Sequence, residues 1–217
     1  MIYIVKHKDG ECPIPKGHKV IGVGEMFDGK GDNINQLNPY INEATAYYDL
    51  WKNSKDKTIG VCHYRRFFAE NGNPVDAKRV NEILKDNDVI ITMPYRYSTN
   101  VYNALRVELA PYGEDVYYDK YLEKIYKKDP GFKDYLMGSE FYPREMIIAK
   151  KQTFDDFCSQ LFKVIGPVAK EFEKEFKTNP DLNKKNPRII GFITERYFSY
   201  VIAKNNYKVY EMDIIDA

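Results

Sequence analysis

No stretch of this 217-residue chain approaches the ~18 consecutive apolar residues of a membrane-spanning helix. The amino terminus, Met1-Ile2-Tyr3-Ile4-Val5, enters an apolar strand directly, without the basic leader or cleavage motif of a signal peptide. Cysteine is scarce: Cys12, Cys62 and Cys158 are widely spaced and form no CxxC pair, which argues against a disulfide scaffold or a zinc site and fits a reducing compartment. Net charge is nearly absent, at +1 from 33 basic and 32 acidic side chains, so no global field drives attachment to nucleic acid or to an anionic membrane. Any anion site must be local. The expected location is cytoplasmic. Peripheral contact with the inner face of the cell membrane stays open, because Phe154 to Lys177 combines apolar spacing with several lysines, although its interspersed glutamates read as an ordinary solvated helix face. There is no internal repeat and no low-complexity tract.

What is present is enough for one substantial core, with 43% hydrophobic residues, and one domain over residues 1–217 is the expectation. Ile2 to Val5 and Lys19 to Val23 read as short β-branched strands. A polar glycine loop, Phe27 to Asn33, follows. Pro39 is placed to open a helix carrying Ala44, Tyr47, Tyr48 and Trp51 at i, i+3, i+4 and i+7. Thr58 to Cys62 reads as a buried strand, Asp76 to Lys85 as a helix, and Val89 to Thr92 as another strand. Residues 99–137 form a Tyr-rich helical insert broken by Pro111, Gly113 and Pro130-Gly131. Beyond it come a strand at Glu145 to Ala149, one or two helices over Thr153 to Phe176 interrupted at Gly166-Pro167, and a polar loop from Thr178 to Pro187. A last helix, Ile189 to Lys204, and a strand, Tyr207 to Met212, end the pattern.

The segment Gly60-Val61-Cys62-His63-Tyr64-Arg65-Arg66-Phe67 carries the most chemistry. An apolar run stops at an imidazole, a phenol and two guanidiniums, just past the carboxyl end of a strand, where open α/β sheets bind ligands. Planar guanidinium forks suit phosphate or carboxylate oxygens. A helical crossover would make the first and third strands parallel and bring His7 to the same edge as His63 to Arg66.

Four segments then match one pattern in order and spacing: Val5-Lys6-His7-Lys8, Gly31-Asp32-Asn33-Ile34, Asn42 to Tyr48 with Trp51-Lys52-Asn53, and Ile59 to Phe68 with its His-Tyr-Arg-Arg core. They resemble a bacterial family of glycosyltransferase-like proteins from capsular and exopolysaccharide loci, formerly described only as a domain of unknown function. Gly191-Phe192-Ile193-Thr194-Glu195-Arg196 is similar to that family's second signature, and Glu145 to Lys151 to the strand before it. The resemblance implies an α/β, GT-A-like fold, a Rossmann-like mixed sheet flanked by helices. It implies a transferase moving a sugar from a nucleotide-diphospho-sugar donor to a glycan or lipid-linked glycan acceptor. The alternative is a non-catalytic nucleotide-sugar or glycan-binding subunit. An RNA-binding module is a remote third reading, since charge is balanced and no RNA motif is present, and no nucleic-acid partner is expected.

Two departures matter. Where many GT-A enzymes place an Asp-x-Asp that holds a divalent cation, this strand end has His63-Tyr64-Arg65-Arg66. No metal ligands are therefore assigned and no cofactor is required, with manganese or magnesium left open. Glu145 stands where asparagine is expected. The donor-binding candidates are His7, Asp32, Asn33, His63, Arg65 and Arg66, with an arginine taking over the electrostatic work on the diphosphate. Each has a structural counterpart reading: ion pairing for the arginines, turn chemistry and helix capping for Asp32 and Asn33, a satisfied histidine for His7. Glu195 is the candidate general base, or else a salt-bridge partner of Arg65, Arg66 or Arg196.

Overall fold

The computed structural model describes residues 1–216. β1 (Ile2–Lys6) and β2 (His18–Gly22) open the chain, followed by α1 (Asn38–Ile41), α2 (Ala44–Asn53), β3 (Thr58–His63), β4 (Arg66–Glu70) and β5 (Asn73–Pro74). α3 (Ala77–Asp86) leads to β6 (Val89–Thr92) and the short β7 (Tyr95–Arg96). The Tyr-rich segment folds as α4 (Val101–Leu109), α5 (Asp115–Tyr126) and α6 (Gly131–Leu136), and β8 (Glu140–Phe141) pairs back on β7. β9 (Ile147–Lys150), α7 (Lys151–Thr178), α8 (Pro180–Asn183), α9 (Ile189–Lys204) and β10 (Val209–Asp216) complete the chain.

The expected open, Rossmann-like GT-A sheet is not what forms. The strand order is β2-β1-β3-β9-β6-β10-β4-β5, and a further pairing joins β3 to β4, so β3, β9, β6, β10 and β4 close on themselves as a five-stranded barrel. Two local features cause the closure. Tyr64 and Arg65 form a tight turn across which His63 pairs with Arg66, sending β4 back antiparallel to β3. β10 changes partner midway: Val209 to Met212 run parallel to β6, and Asp213 to Asp216 run antiparallel to β4. The switch needs a strand four residues longer than the sequence pattern suggests, through Asp213-Ile214-Ile215-Asp216, where an acid at each end and no alternation hide the extension.

β1 and β3 are parallel, as a helical crossover requires, in register from Ile2 opposite Gly60 to Val5 opposite His63. Gly60 keeps this part of the barrel tight, since a Cβ there would stand 3.0 Å from both Ile148 and Ile2. The pleat sends Ile59 and Val61 into the helix-side core with Tyr47, Phe157 and Ile193, and Cys62 into the opposite core with Phe68, Leu84 and Met212. The second core is covered mainly by α3 and the curled β4–β5 edge. Much of the tyrosine in the insert is packing: Tyr118 and Tyr121 are fully buried.

α7 runs unbroken through Gly166-Pro167. Pro167 lies on the exposed face, where the carbonyl of Lys163 that it leaves without an intrahelical donor can bond to water. The single helix expected from Pro39 is instead two, α1 and α2, divided at Asn42 (φ 47°, ψ −125°). Among the described residues no helix is long and apolar enough to cross a membrane.

Candidate functional site

The parallel β1 and β3 end at one edge of the barrel, and the residues that follow them form a cleft of about 260 Å³. His7 comes from the end of β1, His63, Tyr64, Arg65 and Arg66 from the β3–β4 hairpin, Glu43 from the start of α2, and Arg188 from the residue before α9. Val5, Val23 and Pro39 supply apolar wall. Three guanidiniums thus face a single carboxylate, that of Glu43, giving the cleft a positive character that the chain as a whole lacks.

The guanidiniums are not equivalent. Arg66 Nε donates to Asp216 Oδ1 at 3.2 Å, an exposed pair that ties the hairpin to β10. The Arg65 guanidinium lies over the Tyr64 ring, 4.9 Å from its centre, and has no ion-pair partner among the described residues. The Arg188 side chain likewise has none, while its backbone N–H is held by Asn186 Oδ1 at 2.9 Å. His7 packs edge-on against Tyr64 at 5.4 Å between ring centres. Burial, with help from Lys8, Arg188 and Arg65, moves the His7 pKa below the ordinary histidine value, so the ring is neutral at physiological pH and free to donate or accept.

One wall of the cleft rests on a strained turn. The Asn42 conformation is unfavourable for a residue with a Cβ. It is held by Asn38, whose Nδ2 donates to the Asn42 carbonyl at 2.9 Å, and by Thr45, whose hydroxyl donates to the same oxygen at 2.9 Å. α9 passes close beneath it at Gly191, where a Cβ would stand 2.6 Å from Asn42 Nδ2 and 3.1 Å from the Tyr40 carbonyl. The turn places Glu43 with Oε1 4.0 Å from His63 Nδ1.

A second strained turn precedes β9. Arg144 (φ 74°) and Glu145 (φ 46°) are consecutive left-handed residues, neither of them glycine. Four side chains from three elements, β6, α2 and α9, pin this turn. Ser199 Oγ accepts the Tyr142 N–H at 2.7 Å, Thr92 Oγ1 donates to the Pro143 carbonyl at 3.0 Å, Glu195 Oε1 accepts the Arg144 N–H at 2.6 Å, and the Tyr47 hydroxyl donates to the Glu145 carbonyl. Glu145 is 5% exposed, its side chain makes no hydrogen bond within the described residues, and its Oε1 is fully buried without a partner. Burial, reinforced by the carboxylates of Glu43 and Glu195 and opposed by Arg196, pushes its pKa well above the ordinary glutamate range.

The residues read from the sequence therefore separate into three places. His7, His63, Arg65 and Arg66 share the cleft. Glu195 is near but engaged at both oxygens, by the Arg144 N–H and by Arg196 Nη1 at 2.5 Å. Asp32 and Asn33 are elsewhere: Asp32 accepts from the Tyr48 hydroxyl at 3.2 Å, and the Asn33 side chain closes its own turn onto Gly31 and Asn35. For Asn33 that is the local Asx chemistry expected of such residues, whereas the Asp32 carboxylate is held by Tyr48 of α2, sixteen positions away. Arg188 carries no signal in the sequence, because a lone arginine after a polar loop has no informative spacing. Trp51 offers no free face for a sugar, being stacked on Phe162 at 6.0 Å and covered by Lys52 Nζ at 3.3 Å.

Among the described residues no group of three or more histidine, cysteine, aspartate or glutamate side chains is arranged to hold a metal ion. The Asp86-Asn87-Asp88 triplet precedes β6, at the barrel end opposite the cleft, and Asp88 there accepts the Lys208 N–H at 2.8 Å.

Residues 1–206 match the family model described as a domain of unknown function, DUF4422. This chain belongs to the DUF4422 family. No curated protein matches the sequence. Among solved structures, the apo form of the bifunctional glycosyltransferase WbbM aligns with this DUF4422 chain at a TM-score of 0.72 and 23% sequence identity, over 98% of this chain and 44% of WbbM. At that identity the likeness establishes a shared fold, and the DUF4422 chain spans less than half the length of WbbM.

Proposed function

We propose that this DUF4422 domain is a glycosyltransferase that moves a sugar from a nucleotide-diphospho-sugar to a growing capsular or exopolysaccharide acceptor, free or lipid-linked. The observation that carries the reading is the cleft at the ends of β1 and β3, where Arg65 and Arg188 have no carboxylate partners among the described residues and stand beside His7 and His63. Such a set suits a dianionic leaving group: guanidiniums bind phosphate oxygens bidentately, and imidazoles add single hydrogen bonds. As the bond from the sugar to the diphosphate breaks, charge develops on the leaving oxygen, and fixed guanidiniums stabilise it without moving. The apolar Val5, Val23 and Pro39 wall gives the nucleoside a surface to pack on. In this reading the arginines carry the work often given to a divalent cation, and the domain acts near the inner leaflet where lipid-linked acceptors reside. The shared fold with WbbM, a bifunctional glycosyltransferase, supports the class of reaction.

The test is a thermal-shift panel of UDP, GDP, CDP and TDP and their sugars, with manganese or with chelator, followed by a donor-hydrolysis assay. One nucleotide is expected to raise the melting temperature in the presence of chelator. No response to any of them overturns the reading, and binding only with manganese overturns the arginine-for-metal part of it.

A further inference from the structure

Glu43 is the one carboxylate among the residues that line the cleft, and none of the three guanidiniums there pairs with it. Its side chain makes no hydrogen bond within the described residues, and its nearest charged partner, His63 Nδ1, stands 4.0 Å away, beyond hydrogen-bond reach. Both oxygens are therefore free to accept from a ligand hydroxyl. At 25% side-chain exposure the group is sheltered but open to the cleft. The neighbouring glutamates differ. Glu195 has its oxygens taken by the Arg144 N–H and by Arg196, and Glu145 is buried outside the cleft lining.

Strained backbone holds Glu43 in that place. Asn42, immediately before it, is left-handed at φ 47°, and Asn38 Nδ2 and the Thr45 hydroxyl both donate to its carbonyl. Strained residues fixed by several neighbours cluster at functional sites. Although Glu43 directly precedes α2, its side chain caps none of the helix N–H groups, so the carboxylate is not engaged in local helix chemistry. The other side chains of the cleft are poorer proton acceptors. Arginines stay charged, and the Tyr64 ring lies under the Arg65 guanidinium. His63 Nε2 is fully buried without a partner, out of reach of a ligand. For His7, burial together with Lys8, Arg188 and Arg65 outweighs the pull of Glu43 and lowers the pKa, which makes it a weak base. The same ring thus feels Glu43, Arg188 and Arg65 at once, and one bound donor can meet both the carboxylate and the guanidiniums.

Resting on the glycosyltransferase reading above, we propose that Glu43 is the catalytic base of the transfer, the group that takes the proton from the acceptor hydroxyl. The acceptor oxygen attacks the anomeric carbon of the donor, and a new carbon–oxygen bond forms. The bond from that carbon to the diphosphate oxygen breaks, and its electron pair leaves with the nucleoside diphosphate onto Arg65 and Arg188. The acceptor proton passes to the Glu43 carboxylate, which becomes a neutral acid and returns the proton to water once the products leave. Direct displacement inverts the anomeric carbon. When water takes the acceptor's place the same proton transfer gives donor hydrolysis.

The experiment compares Glu43→Gln and Glu43→Ala with wild type. With whichever of UDP, GDP, CDP or TDP raises the melting temperature of wild type, Glu43→Gln is expected to show the same shift while hydrolysis of the corresponding nucleotide sugar falls by about 100-fold or more. Sodium azide, a nucleophile with no proton to lose, is expected to restore release of the nucleoside diphosphate by Glu43→Ala and to yield a glycosyl azide of inverted configuration. Where wild type turns over water too slowly to compare, the azide arm alone decides. Hydrolysis by Glu43→Gln within a few-fold of wild type, or no azide product from Glu43→Ala, overturns the assignment while leaving the donor site intact. Loss of the nucleotide shift in Glu43→Gln overturns it in favour of a donor-holding role. A wild-type melting temperature unmoved by all four nucleotides overturns the transferase reading itself and this assignment with it.

Discussion

Arg66 and Asp216 form an ion pair at 3.2 Å that joins the cleft hairpin to the final strand, whereas the adjacent Arg65 has no acidic partner among the described residues. Neighbouring guanidiniums therefore have different work. Arg65→Ala is expected to weaken nucleoside-diphosphate binding by about 10- to 100-fold, the worth of a charge-assisted bidentate contact, with the melting temperature of the free protein unchanged. Arg66→Ala removes an exposed pair worth about 0.5–1 kcal/mol and is expected to cost less affinity. Titration calorimetry of both variants with the stabilising nucleotide decides it, and equal losses would sink the distinction.

Ser199 accepts the Tyr142 N–H and shares a 2.5 Å hydrogen bond with the Tyr135 hydroxyl, all in the interior. Ser199→Ala leaves the Tyr142 N–H without a partner and the Tyr135 hydroxyl with only the Glu140 carbonyl, at 3.2 Å, and is expected to destabilise the fold by about 1–3 kcal/mol, measured by urea denaturation.

Gly191 is the point of closest approach between α9 and the Asn42 turn. Gly191→Ala forces Asn42 aside, at a cost of about 1–3 kcal/mol. Asn42 lines the cleft, so the substitution is also expected to lower nucleotide affinity, a coupling that a purely structural glycine in the helix would not show.

Asp129 receives the Tyr197 hydroxyl at 2.8 Å, the Tyr200 hydroxyl at 2.9 Å and Lys204 Nζ at 2.8 Å. Burial alone would raise its pKa, but these donors more than offset it and hold the carboxyl below the usual aspartate value. A depressed carboxyl stabilises the fold above its unfolded-state pKa, about 3.9, and that contribution is lost as pH falls through the folded value. Asp129→Asn is therefore expected to cost about 2–3 kcal/mol at pH 7 and progressively less below about pH 4.

The sign is reversed for Glu145. Its raised pKa means that the folded chain keeps a proton the unfolded chain has released, so stability declines as pH rises from the ordinary glutamate value toward the folded one. Glu145→Gln has no such slope. Its melting temperature is expected to match wild type near pH 4 and to exceed it increasingly toward pH 8, and parallel curves would show that Glu145 is ionised throughout.

The strand ends were legible because apolar β-branched runs stop abruptly at His7 and at His63, and the crossover between them fixes a parallel pair. His63 and the arginines could thus be assembled with His7 before any coordinates. The barrel was not legible. Its closure depends on Tyr64 and Arg65 turning without the usual Asn-Gly or Gly-X signature, and on β10 exchanging neighbours at Asp213, neither of which leaves a periodic trace. Arg188 reaches the site through tertiary packing, from the residue before a helix. Asn33 shows the opposite case, its side chain being spent on the local turn between Gly31 and Asn35.

The switch of β10 from β6 to β4 also sets the order in which the molecule can be assembled on the ribosome. β1 and β3 can pair once α2 has formed between them, but β4 has only the two-residue β5 as a neighbour besides the hairpin contact until residues 213–216 have been synthesised. Ring closure across so much intervening chain is slow compared with helix formation. The hairpin that carries Arg65 is therefore among the last parts of the barrel to be clamped, and anion binding is expected to appear only in the final, rate-limiting phase of refolding.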